Sequence, residues 1–370
     1  MIPAKVYEQT IRGFFAPITP YLDDEKVSEI MINSFDRIYV ERAGLIEGTD
    51  AAFANEEELF AAIRNLAQYV GRHFDSDNPV LEARFPDGSR VEAIMPPAAP
   101  EGPAVAIRRF SKNTLTIDRL VSYNSMTREA AETLQALVAG KQNIVVAGGT
   151  ASGKTSMLNA MSGLIPKHER IVTIEDAREL QLQQPHVVPL EAQTADAKGR
   201  GRVSIRDLFK ATLRMRPDRI IVGEIRGGEA LDLIQSLTSG HGGGMTTVHA
   251  SHSLDTLNRL ETMAMMSDVE MPLYALRCQV ASAVNFVVHV SRLADGSRCV
   301  TQITEVRGFD PKEGYELVDI FRRDYVGRNN DGTIISEFGP TGELPSCHEY
   351  LSRLGHRLPN SLYDKVKAAS

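Results

Sequence analysis

The sequence predicts an α/β protein in which a parallel sheet, covered by helices on both faces, follows a smaller α+β domain. Three observations predict it. The chain has 370 residues, more than most single hydrophobic cores hold together. From Met126 onward, Val- and Ile-rich runs alternate with stretches of helical period, the signature of strands buried on both faces. Before that point, short β-branched and aromatic runs broken by turn residues surround one amphipathic stretch. A composition of 42% hydrophobic and 24% charged residues belongs to an ordinary folded globule.

In chain order, "VSEIMINSFDRIYVERAGLIEGT" reads as a short helix, a strand over RIYVER, a turn at Gly44 and a return strand. A helix follows in "NEEELFAAIRNLAQYVGRHF", where Leu59, Ile63, Leu66 and Val70 recur at helical spacing behind acidic residues that favour a helix start. "LEARFPDGSRVEAIMPP" gives two strands around Pro86, Asp87 and Gly88, and "AVAIRRFS" another. These elements place a small α+β domain at 1–110 and a connector at 111–125. Beyond it come a helix in "MTREAAETLQALVAGK", a strand in "NIVVAGG", a helix in "GKTSMLNAMSGLI" and a strand in "RIVTIED". The alternation continues with helix "IRDLFKATLRMR", strand "DRIIVGEIR", helix "GGEALDLIQSLTSG" and strand "GMTTVHA". The parallel-sheet domain is thus expected at 126–307, and weaker periodicity marks 308–370 as a C-terminal appendix.

A net charge of −7 and a pI near 5.8 speak against a general nucleic-acid coat, so no direct nucleic-acid partner is expected. Cys278, Cys299 and Cys347 are scattered and form no C-x-x-C pair, which fits a reducing compartment. The start lacks a long apolar run, and "VASAVNFVVHV" is too short to span a bilayer. A cytoplasmic protein that meets the membrane through partners is the expectation.

Gly148 to Thr155 fit G-x-x-x-x-G-K-[ST] between an expected strand and an expected helix, the context a phosphate-binding loop requires. Across Gly148, Gly149, Thr150, Ala151, Ser152, Gly153, Lys154, Thr155 and Ser156, backbone N–H groups can turn onto phosphate oxygens while the helix N-terminus adds positive potential. Lys154 would reach the β- and γ-phosphates of ATP, and the Thr155 hydroxyl would hold Mg²⁺. Hydrolysis needs a group that activates water. Glu224 follows a buried strand at the sheet edge where ligands bind, and could polarise that water or hold the Mg²⁺ shell. Glu175 and Asp176 end a second strand. Each carboxylate alone reads equally as a helix cap or a surface acid; two acidic strand ends beside a phosphate loop shift the balance toward catalysis. His249, at a third strand end, divides between a γ-phosphate sensor and a structural histidine, with His241 weaker. His249 and His252 lack a third ligand for a metal.

Together "GGTASGKT", "RIVTIEDARELQL", "LRMRPDRIIVGEIRGGEALDLIQSLTSGHGGGMTTVHA" and "NRLETM" resemble the bacterial ATPases of the type II/type IV secretion superfamily, most closely the branch serving tight-adherence (Flp-type) pili. The resemblance spans about Val27 to Val306 and extends into the tail. It implies a homo-hexameric ring of two-domain subunits, with ATP between a PAS-like N-terminal domain and a RecA-like C-terminal domain. It further implies that Lys154 and Thr155 belong to Walker A, Glu175 to an Asp box, Glu224 to Walker B and His249 to a His box. Arginines of the N-terminal domain reach the nucleotide in that family; Arg84, Arg90, Arg108 and Arg109 occupy the matching strands, with Arg214 and Arg216 as lesser candidates. Two features depart from the family. Glu224 stands where many phosphate-loop enzymes have Asp, favouring Mg²⁺ contact through water, and Ala151 stands where Gly is more frequent. The expected role is a motor that assembles or retracts a pilus through an inner-membrane platform protein. The alternatives are a conjugative DNA and protein export ATPase and a low-turnover nucleotide-gated scaffold.

Overall fold

The computed structural model describes residues 4–42, 44–110, 115–195, 199–329 and 332–369. Two compact units divide the chain: Met1–Asn113 with Ala195–Arg200, and Thr114–Thr194 with Gly201–Ser370.

The first unit begins with α1 (Ala4–Phe14), a 3-10 turn at Ala16–Ile18 and α2 (Thr19–Asp23). Strands β1 (Val27–Ser34), β2 (Arg37–Arg42) and β3 (Leu45–Gly48), helix α3 (Glu56–Tyr69), and strands β4 (Val80–Arg84), β5 (Arg90–Ile94) and β6 (Ala104–Arg108) follow. The strands form one antiparallel sheet ordered β3-β2-β1-β6-β5-β4. Asn55 caps α3 by accepting from the Glu58 N–H at 2.9 Å, and three glutamates fill its first turn, so both the caps and the helix dipole are served. Leu59, Ile63 and Leu66 are fully buried beneath it.

Residues 27–34 form β1, not the helix expected there. The pairing of β1 with β2 slips between Val27 and Glu29, so an extra residue enters β1. Val27 and Ile30, three apart, therefore both face the core, and a bulged strand imitates helical spacing.

The second unit contains α4 (Ile117–Ser122), α5 (Arg128–Ala139), β7 (Ile144–Gly148), α6 (Lys154–Ser162), β8 (Ile171–Glu175), β9 (Val187–Glu191), α7 (Ile205–Thr212), β10 (Arg219–Val222) and α8 (Glu229–Thr238). It continues through β11 (Met245–His249), α9 (Ser253–Met265), α10 (Leu273–Ala283), β12 (Phe286–Arg292), β13 (Arg298–Asp310), β14 (Gly314–Arg328), β15 (Ile334–Pro340), α11 (His348–Arg353) and α12 (Asn360–Ala369). The sheet order is β15-β14-β13-β12-β7-β11-β10-β8-β9, with β12 through β9 parallel and β13 to β15 antiparallel. Successive residues of β7 feed opposite layers. Ile144 and Val146 pack in a core with Leu134 and Leu158, and Val145 and Ala147 in one with Leu233 and Leu260. Pro189 lies on the edge strand β9, opposite Thr173.

At the N-terminal ends of the parallel strands, polar groups are buried and paired. The fully buried Arg219 donates to Glu169 (2.5 Å) and to the carbonyls of Val138 (2.8 Å) and Gly243 (3.2 Å). A Cβ on Gly243 would lie 2.0 Å from Arg219 Nη1, and one on Gly244 2.4 Å from Leu237. Asn143 Oδ1 accepts the Gly243 and Gly244 N–H groups at 2.7 and 3.2 Å. The glycine run is a packing device, and His241 beside it lies at the end of β11 away from the phosphate loop.

Two expected boundaries shift. Of the connector at 111–125, residues 111–114 lie outside the described residues; the remainder carries α4, whose Ile117 and Leu120 pack in the core of the second unit. Residues 308–370 are no appendix: β14 and β15 extend the central sheet, and Ile320, Phe321, Phe338, Leu351, Leu358 and Leu362 share the core of β7. Among the described residues, no helix is long and apolar enough to cross a membrane.

Candidate active site

The buried strand β7 runs straight into the glycine-rich loop, and α6 starts at Lys154. Gly148 has no room for a side chain: a Cβ would sit 2.3 Å from Val290 O and 2.5 Å from Ser152 Oγ. Gly153, at φ +96°, turns the chain into the helix, and Ala151 adopts the left-handed region at φ +57°. An L-residue there is held at a cost of about 1 kcal/mol, which accounts for the advantage of glycine at that position. Ser152 Oγ donates to Gly149 O at 2.9 Å, closing the loop on itself. Gly149, Thr150, Ala151 and Ser156 are exposed, Thr155 is half-buried, and Lys154 is buried with Nζ donating to Gly149 O at 2.8 Å.

The parallel registry delivers the other candidates to the same edge. His249 pairs with Gly148 across β11 and β7; Glu175 ends β8; Glu224 follows β10, whose Val222 pairs with Ile174. Lys154 Nζ lies 3.2 Å from His249 Nδ1, and His249 Nε2 lies 3.0 Å from Glu224 Oε1. Burial, then the Lys154 charge, push the His249 pKa below the ordinary histidine value. The neutral ring with its proton on Nε2 satisfies both contacts, accepting from the ammonium and donating to the carboxylate. Arg226 Nη2 donates to Glu224 Oε2 at 2.9 Å, while its Nη1 stands 3.8 Å from Asp176. Charges thus alternate from Lys154 to Asp176 along one row.

Glu175 plays a different part. It is buried, and its Oε1 accepts the N–H groups of Glu179 (2.8 Å) and Leu180 (2.9 Å), pinning the chain that leaves β8. Its Oε2 has no partner among the described residues, and burial outweighs the two N–H bonds to raise its pKa above the usual carboxylate range. Gly223 makes way for it, since a Cβ there would come 2.9 Å from Glu175 Cγ.

The arginines separate. In the first unit Arg84, Arg90 and Arg108 stand directly opposite one another across β4, β5 and β6, three like charges on one face. Arg109 instead donates to the carbonyls of Asp24 and Val27 (the latter at 2.9 Å), which makes it a structural clamp on the chain entering β1. Arg214 and Arg216 are exposed near the N-terminal end of β10, away from the phosphate loop. His252 stacks on His289, which is buried, bonded to Thr301 at 2.6 Å and held below the ordinary histidine pKa by burial. Two contributors escape sequence reasoning. Arg226 is signalled only by lying two residues after Glu224. Arg298 donates from Nε to Ala151 O at 2.9 Å from a strand 147 residues away and carries no sequence signal.

Residues 14–322 match the family described as Type II/IV secretion system protein. A putative conjugal transfer protein of Mycobacterium tuberculosis is 32% identical over 296 residues, covering 78% of this chain and 84% of its own. The conjugal transfer protein TrbB of Rhizobium radiobacter is 34% identical over 293 residues, covering 78% and 86%. The X-ray structure of the ATPase DotB of Legionella pneumophila aligns with a TM-score of 0.57 at 16% identity, over 81% of each chain, a likeness of fold.

Proposed function

Since the chain belongs to the type II/IV secretion system family, we propose that its site hydrolyses ATP to drive a secretion or pilus machine. The observation that carries this reading is the unbroken row from Lys154 through His249 to Glu224 at the edge of the phosphate loop. Lys154 offers its ammonium to the β- and γ-phosphates, for which Gly149 O and His249 hold it in place. The loop from Gly148 to Ser156 supplies the cradle, its exposed face at Gly149 and Thr150 being open to phosphate oxygens. The Thr155 hydroxyl and the Glu224 carboxylate are hard oxygen donors that suit Mg²⁺, which would neutralise phosphate charge when bound. Glu224 already accepts from His249 and Arg226, an arrangement that would favour holding that ion through water. Glu224 polarises the attacking water, and Glu175 fixes the neighbouring chain while its second oxygen adds an acceptor at the same edge. When Lys154 turns to phosphate, His249 Nδ1 loses its donor, so the ring can report the γ-phosphate to Glu224. Of the arginines proposed for the nucleotide, Arg84, Arg90 and Arg108 form one row of positive charge in their own unit, whereas Arg109 Nη1 donates to the Asp24 and Val27 carbonyls.

Homo-hexameric assembly and an inner-membrane platform partner, met from the cytoplasmic side, complete the reading. Within it, the motif set favours a tight-adherence pilus, while the names of the relatives favour conjugal export as the second reading. Loss of pilin at the cell surface in a deletion strain supports the first; loss of plasmid transfer with pili intact supports the second. The hydrolytic role is tested by phosphate release. Glu224→Gln is expected to lower kcat by about a hundredfold or more while nucleotide still binds. Equal, slow turnover in wild type and variant would favour the nucleotide-gated scaffold instead.

A further inference from the structure

We propose that Arg298 is a positioning residue that holds the phosphate loop in its nucleotide-binding shape, on a seat built by the C-terminal strands. The inference rests on the nucleotide-binding reading of that loop and adds a residue and a region to it. Ala151 carries the loop through a left-handed conformation that an alanine does not favour, so something beyond its own backbone preference must hold it. Arg298 meets that need. Its Nε donates to Ala151 O at 2.9 Å, and its Cδ lies 3.6 Å from where a Cβ on Gly153 would stand, so the side chain lies along the loop.

The backbone around Arg298 is itself fixed from the tail. Ser125 Oγ donates to Arg298 O at 2.8 Å, and Ser125 O accepts from Val300 N (2.8 Å) and from Arg323 Nη2 (3.2 Å). Arg323, on β14, also donates to Val300 O (2.9 Å) and to Ser336 of β15 (3.0 Å). On the other side, Asp295 in the turn before Arg298 accepts from Ser297 Oγ at 2.6 Å and from the Ile334 N–H of β15 at 2.9 Å. A run of hydrogen bonds thus joins the last two strands of the sheet to one carbonyl of the phosphate loop. The region beyond residue 308 thereby acquires a task that its weak sequence pattern conceals.

The test uses the full-length chain with fluorescent N-methylanthraniloyl-ADP as the binding probe, and steady-state ATP hydrolysis beside it. Arg298→Ala should weaken probe binding about five- to tenfold and raise KM in proportion with a smaller change in kcat, the loss of one hydrogen bond to the loop. Asp295→Ala, which touches no loop atom, should weaken binding about two- to threefold in the same direction. Because glycine accepts the left-handed conformation freely, Arg298→Ala should cost less in an Ala151→Gly background than alone. Arg298→Lys, able to donate but without the planar guanidinium, should fall between wild type and Arg298→Ala. Far-UV circular dichroism and melting without nucleotide establish that each variant folds. Arg298→Ala that binds the probe as wild type does overturns the proposal. So does a fall in kcat at constant KM, which would put Arg298 in the chemical step. A wild-type chain that binds no nucleotide overturns the underlying reading of the loop instead.

Discussion

The two ends of the parallel strands both carry charged groups, and they treat them in opposite ways. At the N-terminal ends Arg219 is fully buried, and Glu169 and two carbonyls take its donors. At the C-terminal ends Glu224 and His249 keep 23% and 37% of their side-chain surface, and the buried Glu175 leaves one oxygen without a partner among the described residues. Burial alone does not mark a working residue. Solvent access separates the two ends, because a substrate can reach Glu224 and His249 but not Arg219.

That contrast can be broken from either side. Lys154→Ala should reduce ATP turnover by about a thousandfold, since its ammonium is the charge offered to the β- and γ-phosphates, and leave the melting temperature close to wild type. Measured phosphate release within tenfold of wild type would end the comparison. Arg219→Ala should do the reverse, destabilising the fold by about 3–5 kcal/mol through the stranded Glu169 while the folded fraction hydrolyses ATP normally. Denaturant titration and activity per folded molecule measure both halves.

Glu175→Gln sharpens the intermediate case. Its carboxyl has a raised folded-state pKa, so its contribution to stability is present below the unfolded value and is lost as pH rises through the folded one. Glutamine keeps the Oε1 acceptor and removes the buried charge. The variant should therefore melt higher than wild type at pH 8, the gap closing as pH falls toward the raised carboxylate pKa, while kcat drops about tenfold or more. A lower melting point at pH 8 would mean that the charge is stabilising. The smallest effect concerns His249, whose lowered pKa means that the neutral ring persists until the pH falls beneath the usual histidine range. The acid limb of the pH–rate profile should lie there and disappear in His249→Asn.

The parallel half of the fold was legible because its signals are local. Buried β-branched runs, a glycine loop and capped helices each announce themselves within a dozen residues. The same holds for Lys154, Glu175, Glu224 and His249, whose place at strand ends follows from the alternation and whose meeting follows from parallel registry. What stayed hidden depends on distant partners. A bulge made β1 look helical; Arg298 gains its meaning from a carbonyl far back in the chain; the strands beyond residue 308 owe their order to a sheet that their own sequence only half describes. Arg109 shows the converse, a residue just past β6 whose Nη1 is turned to the carbonyls of Asp24 and Val27.

Pro189 on the outermost strand has a consequence for life at high concentration. Proline offers no N–H, so β9 is a poor template for an added strand from another chain. Copies of the chain crowded together are then less able to zip their sheets through this edge, and the β9 side is guarded against the pairing that begins fibre growth.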